Sequence, residues 1–481
     1  MVVRTRFAPS PTGFLHIGSV RTALFDYLLA KKYKGKVILR IEDTDQKRQV
    51  EGALENLLET LDWLRLNFDE GPHIGGPYSP YIQTQRLDIY NKYIQKLLEK
   101  GQAYYCFCSQ ERLQKLRLNQ KRKKQAPRYD GYCRNLSLEE VNKKIKQGKK
   151  FVVRQKMPRQ GTTICQDELR GKIEFQNKDL DDHVLIKSNG IPTYQFASVV
   201  DDYLMKITHV IRGAEWIPSL PKNILLYQAF GWSFPKFIHI PLTLNKEGGK
   251  LSKRQGDVAV EDYKQKGYLP EALLNFSALL GWHPKNEKEI FTLEELITEF
   301  SLEGLGTGSA IFDIQKLRWI NAEHIRRKTV KEFHQLALPY YKKVNKNLNL
   351  KEISKILHKR VEVLGEIPEM IDFLTCLPNY DAELFVNKKM KTDQALAEKV
   401  LKKTILVFES IKEWNEQNIK KELLRLVEKT ELKNSQVLWP VRVALSGKRF
   451  TPGGAFEIAN ILGRDESLKR LKIGIQKLTK K

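Results

Sequence analysis

Apolar residues follow two different periods along the first hundred positions, and the change of period predicts the local structure. Two valines precede a polar segment that contains Pro9 and Pro11, and apolar residues then recur at helical spacing from Val20 to Leu29. Because proline fixes φ and lacks a backbone N–H, this order predicts a strand, a loop and a helix. Residues 36–41, KVILRI, form an apolar run of the length of a buried strand. Two further helical stripes comprise Val50, Leu54, Leu57, Leu58, Leu61 and Leu64, and Leu87, Tyr90, Ile94, Leu97 and Leu98.

The pattern then changes before apolar strand-like runs return. Short pieces such as 151–154 occupy the intervening stretch, whereas the runs 183–187, 209–212 and 237–241 resume the pattern of a parallel sheet. An apolar helix over 224–230 separates the last two runs. This order predicts an α/β fold in which an insertion splits a Rossmann-like domain.

Helical signals dominate the second half of the chain. The runs 269–280 and 317–325 have helical spacing, and Thr292 with Glu295 has the spacing of a capping box. No series of strand-like segments follows, so the chain is predicted to end in an all-α region. We predict five segments: the first half of the Rossmann-like domain over 1–105, an inserted α+β domain over 106–182, the second half over 183–245, a segment with a basic loop over 246–328, and a helical region over 329–481.

The composition suits a multidomain protein with a polyanionic partner. The chain has 481 residues, 41% of them hydrophobic, and a formal net charge of +26. Residues 331–481 carry 30 lysines and arginines against 19 acidic residues, so the positive excess is not confined to one end. Charge spread over several domains favours a long nucleic acid as partner, although a lysine-rich proteome would charge every surface in the same way.

The hydropathy of the sequence suggests neither membrane insertion nor secretion. It has no run of about 18 apolar residues, and its N-terminus lacks the charged and apolar parts of a leader. Its five cysteines are too few for a disulfide framework and suit a reducing compartment. We therefore expect no membrane contact and a cytoplasmic location.

The first predicted helix begins at a candidate anion site. Residues 16–18, His-Ile-Gly, lie where free backbone N–H groups and the positive end of the helix dipole favour negative charge. Far along the chain, the loop 248–254, GGKLSKR, surrounds a serine with three cations. A cationic loop can close over a polyphosphate, and the histidine is then expected to face a phosphate. Taken singly, the two features are also typical of a helix-capping turn and of a solvated basic loop.

Five sequence motifs carry a family resemblance. The segment 6–19, RFAPSPTGFLHIGS, contains a His-x-Gly turn after the first strand, and 248–254 contains Lys-x-Ser-Lys. This pair resembles the HIGH and KMSKS motifs of the class I aminoacyl-tRNA synthetases. The flanking motifs RIEDTD (40–45), VVDD (199–202) and HVIRGAEW (209–216) narrow the resemblance to the bacterial glutamyl-tRNA synthetases.

The resemblance, which runs from Met1 to beyond Gly453, implies ATP-dependent ligation of L-glutamate to the 3′ end of tRNA(Glu) through glutamyl-adenylate. It also implies ATP with Mg²⁺, a monomeric enzyme, and adenylate formation only when tRNA is present. In this family the insertion holds the tRNA acceptor end, the segment with the basic loop contacts the stem, and the helical region binds the anticodon. The basic run Lys121–Lys124 is then a candidate phosphate contact or an ordinary exposed loop.

The resemblance places candidate site residues in three groups. The catalytic group consists of Lys253, His16, Lys250 and Gly18. The glutamate-binding group consists of Arg6, Ala8, Ser10, Glu42, Tyr194 and Arg212. The ATP-binding group consists of His16, Gly18, Ser19, Glu215, Lys250, Leu251, Ser252, Lys253 and Arg254.

The arginine at 212 is the expected discriminator between glutamate and glutamine. A guanidinium forms two charge-assisted hydrogen bonds with a carboxylate, and Arg6 and Arg212 stand at the ends of predicted pocket strands. Glutamine would present NH₂ donors to a group that has only donors. By resemblance, glutamine enzymes carry another residue at this position, and Glu42 matches the partner of the substrate's α-amino group.

Three cysteines have the spacing of a metal site. Cys106 and Cys108 are separated by one residue, and Cys133 follows at a distance, which suits zinc or three ordinary thiols. Some relatives have a histidine as fourth ligand where this chain has Asn135, a poor zinc ligand. Tyr129 is a possible substitute, which resembles a variant in shorter relatives.

Three other functions compete with glutamate ligation. A shorter paralogue that glutamylates a tRNA base would lack the roughly 150 helical residues at the end, and a glutaminyl-tRNA synthetase would carry a β-structured anticodon region there. A non-catalytic tRNA-binding paralogue would not need His16, Lys250 and Lys253 together. The sequence leaves open whether tRNA(Gln) is also charged.

Overall fold

The contacts of the chain divide it into two compact units. The computed structural model describes residues 2–249, 259–344 and 347–479. The N-terminal unit comprises Met1–Tyr263 and Leu273–Ile314, and the C-terminal unit comprises Lys264–Ala272 and Gln315–Lys481. The finer division into five segments stays a prediction.

Strands and helices alternate in the first part of the N-terminal unit. In chain order they are β1 (Arg4–Phe7), α1 (Ile17–Lys32), β2 (Lys36–Leu39), α2 (Ala53–Trp63), α3 (Leu87–Glu99), β3 (Ala103–Cys106), α4 (Gln110–Arg122), α5 (Leu138–Lys146), β4 (Val152–Gln155), β5 (Thr162–Asp167), β6 (Gly171–Gln176), β7 (Val184–Ile186), α6 (Tyr194–Leu204), β8 (His209–Gly213), α7 (Leu220–Phe230) and β9 (Lys236–Ile240). The elements that follow are β10 (Thr243–Leu244), α8 (Val260–Lys266), α9 (Pro270–Leu279), α10 (Leu293–Glu299) and β11 (Ala310–Ile311).

Two pairs of parallel strands confirm the predicted α/β fold. β1 pairs with β2 over its whole length, and β8 pairs with β9. The other edge of β1 meets the start of β8, because the backbone N–H of Thr208 donates to Arg4 O at 2.9 Å. The carboxyl ends of these parallel strands therefore lie together, which is where α/β folds place their ligands.

The insertion contributes antiparallel strands, and one predicted strand belongs to it. β3, β4 and β7 form a three-stranded sheet in which β4 pairs antiparallel with both neighbours. The expectation that 183–187 rejoins the parallel sheet is therefore wrong. Leu185 of β7 and Val153 of β4 are buried in one core, and burial of an apolar run does not reveal the direction of its partner.

A hairpin of the insertion also reaches the parallel strands. β5 and β6 pair antiparallel, and the last residue of β5, Asp167, pairs in parallel with Phe237 of β9. The end of this hairpin is thus fixed beside the sheet that carries the candidate pocket.

All named elements among the described residues of the C-terminal unit are helices, as predicted. After α11 (Ile314–Arg327), its helices are α12 (Val330–Ala337), α13 (Leu350–His358), α14 (Ile367–Met370), α15 (Asp372–Thr375), α16 (Gln394–Ser410), α17 (Glu416–Thr430), α18 (Asn434–Ser446), α19 (Ala455–Leu462) and α20 (Arg464–Thr479). The predicted capping box of Thr292 and Glu295 is present at the start of α10. Across the described residues, no helix combines the length and the hydropathy that a membrane span requires.

Candidate functional site

A cavity of about 750 Å³ lies at the carboxyl ends of β1 and β8. It brings together nine of the predicted site residues: Arg6, Ala8, Ser10, His16, Ser19, Glu42, Tyr194, Arg212 and Glu215. These residues come from four separate parts of the sequence. The cavity therefore joins all six residues of the predicted glutamate-binding group to three of the ATP-binding group, His16, Ser19 and Glu215, whereas Gly18 does not line it.

His16 lies at the start of α1 and caps this helix. Its Nδ1 accepts a hydrogen bond from the backbone N–H of Gly18 at 2.9 Å. A neutral imidazole that accepts at Nδ1 carries its proton on Nε2, the nitrogen that takes no part in the cap. The capping turn and the anion site are thus compatible roles of the same residue.

The basic loop lies mostly outside the described residues. Its residues Lys250, Leu251, Ser252, Lys253 and Arg254 fall within 250–258, which the described residues do not include. The first described residue after them, Ala259, forms an antiparallel bridge with His16, and Val260 N–H donates to Leu15 O at 2.9 Å. The chain that follows the basic loop is therefore attached at the start of α1.

A buried network of charges forms one wall of the cavity. Asp202 of α6 accepts hydrogen bonds from Arg6 Nε at 3.1 Å and from Arg40 Nη1 at 2.7 Å. Glu42 accepts from Arg40 through Nη2 at 2.9 Å and Nε at 3.2 Å. Arg40 is 0% exposed. Because buried charges persist only when they are paired, these contacts fix Arg6 and Glu42 in position.

Burial and charge give two carboxyl groups of this network different protonation behaviour. Burial raises the pKa of Glu42 to about 7, against the opposing effects of Arg40 and Arg6. Burial also acts to raise the pKa of Asp202, but Arg6 and Arg40 outweigh it, so this pKa lies below its usual value. Asp202 is therefore an anion throughout the neutral range, whereas Glu42 titrates within it.

Arg212, near the end of β8, presents hydrogen-bond donors at the cavity. The residue is 5% exposed, and its Nε donates to Nε2 of His239 at 2.9 Å. Its Nη2 is buried and has no hydrogen-bond partner among the described residues. A buried guanidinium with an unused N–H group is a binding site for an anionic oxygen.

Tyr194 and Ser10 complete the wall around Glu42. Tyr194 begins α6, and its ring packs on that of Trp216 with centroids 4.6 Å apart. Burial raises the pKa of Tyr194, so its hydroxyl is a neutral donor and acceptor. Ser10 Oγ donates to the carbonyl of Glu42 at 2.5 Å, which joins the proline-containing loop to the end of β2.

The three predicted metal ligands lie together in the insertion. The Sγ atoms of Cys106, Cys108 and Cys133 are within 4.8 Å of one another. The Tyr129 hydroxyl is 3.3 Å from Cys106 Sγ and 3.6 Å from Cys108 Sγ, and accepts the backbone N–H of Cys133 at 2.9 Å. Hydrogen bonding with Cys133 lowers the pKa of the Cys106 thiol to about 4, with Tyr129 adding to this and burial opposing it.

The basic run Lys121–Lys124 lies at the end of α4 and is exposed. Lys121 and Arg122 form the last turn of the helix, and the two lysines follow it. This position is compatible with both interpretations of the run, a phosphate contact and a solvated loop.

Some residues of the cavity wall and of the hydrogen-bond networks behind it were not singled out by the sequence analysis. Arg40 and Asp202 occur in quoted motifs without an assigned role, and Asp167 and His239 were not considered. Lys187 lines the cavity and donates from Nζ to Thr44 O at 2.8 Å. Arg40 and Asp202 could have been found from the sequence, because each lies just after an apolar run, in RIEDTD and VVDD. Charged residues in such positions are buried only when they are paired with an opposite charge.

Comparison with known proteins gives matches along almost the whole chain. Residues 2–319 match the family of class I tRNA synthetases (E and Q), catalytic domain, and residues 332–475 match an anticodon binding domain family. The chain is 54% identical over 477 residues to a glutamate–tRNA ligase of Clostridium tetani, covering 99% of this chain and 98% of the relative. It is 50% identical over 480 residues to that of Clostridium acetobutylicum, covering 99% of each chain. A crystal structure of a glutamate tRNA ligase from Elizabethkingia meningosepticum, in complex with its amino acid, aligns with a TM-score of 0.91, 35% identity and full coverage of both chains.

Proposed function

The chain belongs to the class I tRNA synthetases of the glutamate and glutamine group, and from this premise we propose that it ligates L-glutamate to tRNA(Glu) with ATP. Mg²⁺ accompanies the ATP and neutralises charge on its phosphates. The observation that carries the proposal is the placement of Arg212, Glu42 and His16 around one cavity. Its charges complement a substrate with a side-chain carboxylate and an α-amino group, next to a site for phosphate.

The reaction proceeds in two steps. The α-carboxylate of glutamate attacks the α-phosphorus of ATP, so a C–O–P bond forms and pyrophosphate leaves. A ribose hydroxyl at the 3′ end of the tRNA then attacks the carbonyl carbon, loses its proton and releases AMP. In the first step negative charge grows on the leaving pyrophosphate, so His16, Lys250 and Lys253 are assigned to stabilise it. Gly18, Ser19, Glu215, Leu251, Ser252 and Arg254 are assigned to hold ATP.

Glutamate binding is assigned to the wall of charged residues. Arg212 and Arg6 bind the side-chain carboxylate, and Glu42 binds the α-amino group. Ala8, Ser10 and Tyr194 complete the pocket. The unpartnered Nη2 of Arg212 supports this arrangement, since a carboxylate oxygen supplies the missing acceptor. A glutamine amide turned with its NH₂ toward the arginine would leave a buried charge unpaired, at a cost of about 1–3 kcal/mol.

Charging with labelled amino acids tests the proposed function. Purified tRNA(Glu) and tRNA(Gln) are each incubated with ATP and labelled glutamate or glutamine at one fixed salt concentration, because phosphate contacts make tRNA affinity salt-dependent. We expect glutamate on tRNA(Glu), and little ATP–pyrophosphate exchange without tRNA. Charging with glutamine would establish the glutaminyl alternative, and tRNA binding without charging would establish a non-catalytic paralogue. Label on tRNA(Gln) would add that tRNA to the substrates.

Glutamate binding is expected to weaken as pH falls through 7. Glu42 attracts the α-ammonium group only as a carboxylate, and its pKa of about 7 means that it is protonated progressively below neutrality. The KM for glutamate should therefore rise roughly tenfold between pH 8 and pH 6. Glu42→Gln should have a raised KM that no longer changes over this range. The control is Glu55→Gln at an exposed position of α2, and a pH response of Glu42→Gln equal to that of the unsubstituted enzyme would contradict the assignment.

We also propose that the cysteine cluster of the insertion binds zinc. Its three sulfur atoms and the Tyr129 oxygen form a donor set of the number and spacing that tetrahedral zinc takes in structural sites. Arg154 lies with its guanidinium carbon 3.9 Å from the centre of the Tyr129 ring, a cation–π contact that holds the ring beside the cysteines. Zinc supplies a cross-link between the residues around 106 and those around 133.

Metal analysis after dialysis tests the zinc site. We expect one zinc ion per chain, its loss in Cys133→Ser, and weakened binding in Tyr129→Phe, which keeps the three thiolates. Cys376→Ser, at an exposed cysteine outside the cluster, should keep the zinc. Dialysed protein without zinc would refute the zinc site. Unchanged zinc affinity in Tyr129→Phe would show that Tyr129 is not a ligand.

The remaining assignments concern partners and location. The insertion, with Lys121–Lys124, is proposed to hold the tRNA acceptor end, and the helical region to bind the anticodon. The enzyme is proposed to act as a monomer in the cytoplasm, which sedimentation with and without tRNA and cell fractionation would test.

A further inference from the structure

Three buried polar side chains form a hydrogen-bonded chain that ends at Arg212. Asp167 Oδ2 lies 2.7 Å from Nδ1 of His239, and His239 Nε2 accepts from Arg212 Nε at 2.9 Å. Asp167 and His239 are 0% exposed. Arg212 and His239 are direct partners in the β8–β9 ladder, so the backbone register holds the two side chains together.

Asp167 determines which nitrogen of His239 carries the proton. Burial acts to raise the pKa of Asp167, but hydrogen bonds from the His239 ring and from the backbone N–H groups of Arg170 and Leu169 outweigh it and the pKa is lowered, so the group is a carboxylate. A carboxylate only accepts, so Nδ1 of His239 must donate to it. Nε2 of a neutral imidazole then bears a lone pair, which is the group that the Nε–H of Arg212 requires.

The surroundings of Asp167 leave no other arrangement open. Its Oδ1 accepts the backbone N–H groups of Leu169 at 3.0 Å and Arg170 at 2.9 Å. Its Oδ2 accepts the backbone N–H of His239 at 3.1 Å in addition to the ring nitrogen. Both oxygens of the carboxylate are therefore surrounded by donors.

We propose that Asp167 and His239 are positioning residues that hold Arg212 in its carboxylate-binding orientation and so set the preference for glutamate over glutamine. The inference rests on the proposed role of Arg212 in glutamate binding. Arginine has many rotamers, and fixing one of them before binding saves the conformational entropy that a free side chain would lose. With Nε bound to His239, the Nη groups of Arg212 are directed to the substrate.

The hydrogen bonds from Asp167 through His239 to Arg212 also link the insertion to the amino-acid pocket. Asp167 is the last residue of β5, in the hairpin of the inserted segment, whereas His239 and Arg212 belong to the parallel strands. The segment proposed to hold the tRNA thus supplies the residue that orients the glutamate-binding arginine.

Substitutions of His239 separate positioning from structural support. His239→Leu removes the acceptor for Arg212, whereas His239→Gln retains one at a similar reach. We expect His239→Leu to raise the KM for glutamate 10- to 100-fold, to leave the KM for ATP within twofold, and to lower the glutamate-to-glutamine ratio of kcat/KM at least tenfold. His239→Gln should recover most of this ratio. Ile238→Ala, at a buried neighbour on β9, should lower Tm without changing the ratio.

Asp167→Asn provides a second test that does not depend on the folding of His239→Leu. In either orientation, the NH₂ group of the introduced asparagine faces hydrogen-bond donors. If the NH₂ group faces Nδ1 of His239, the ring must carry its proton on Nε2, where it opposes the Nε–H of Arg212. We expect the same selective rise in the KM for glutamate. The inference would be overturned if both His239→Leu and Asp167→Asn kept the ratio within twofold, or if they changed it no more than Ile238→Ala does. Failure of the unsubstituted enzyme to charge glutamate would instead refute the proposed function.

Discussion

Lys253→Ala is expected to lower the rate of glutamyl-tRNA formation by about 10²-fold or more while tRNA binding persists. The ammonium group is proposed to stabilise charge that develops on the pyrophosphate as the C–O–P bond forms. Its contribution is therefore greater in the transition state than in the bound substrates, and kcat should fall more than KM rises. Single-turnover charging and equilibrium tRNA binding at one salt concentration measure the two effects separately.

A neighbouring lysine provides the matched control for this substitution. The Lys246 side chain is 59% exposed, and its Nζ pairs with Asp313 at 3.0 Å. Lys246→Ala removes the same charge from nearby in the sequence and should leave charging almost unchanged. Equal turnover of Lys253→Ala and the unsubstituted enzyme would refute the role of Lys253.

Arg212→Leu is expected to reduce kcat/KM for glutamate by roughly 10²- to 10³-fold. Removing one partner of a buried charge pair leaves the other unpaired and costs about 3–5 kcal/mol, and here the orphaned group is the substrate carboxylate. Glutamine carries no side-chain charge, so it should lose less, and the discrimination between the two amino acids should shrink. Parallel charging assays with both amino acids measure this change.

Arg212→Lys distinguishes the charge of the arginine from its geometry. Lysine keeps the charge but cannot donate to His239 and bind a carboxylate bidentately at the same time. We expect it to recover part of the glutamate activity, with a KM between those of Arg212→Leu and the unsubstituted enzyme. Unchanged selectivity in both variants would transfer the discrimination to Arg6, the other arginine of the cavity.

The local structure of the first motif could be predicted because its causes are local. Pro9 and Pro11 exclude a helix by their own covalent geometry, and the spacing of apolar residues after His16 is that of a helix. β1, α1 and β2 accordingly form where they were expected. The position of His16 as the cap of α1 follows from the same segment.

The direction of β7 and the chain of Asp167, His239 and Arg212 could not be predicted in this way. An apolar run of three to five residues has the same pattern whether its partner is parallel or antiparallel. Along the sequence, Asp167 and His239 are 72 residues apart, and Arg212 and His239 are 27 residues apart. Their contact depends on the pairing of β5, β8 and β9, and no repeat in the sequence marks it.

The sequence by itself determined the residue types of the site and the order of the strands and helices that carry them. Its motifs also determined the family resemblance, from which the reaction was predicted. Tertiary structure alone decided what those residues can do: burial of Glu42 raised its pKa to about 7, and Nη2 of Arg212 was left without a partner among the described residues. The physical reason is that protonation and hydrogen bonding depend on solvent exclusion and on atoms within a few ångströms, which only the packing of distant segments supplies.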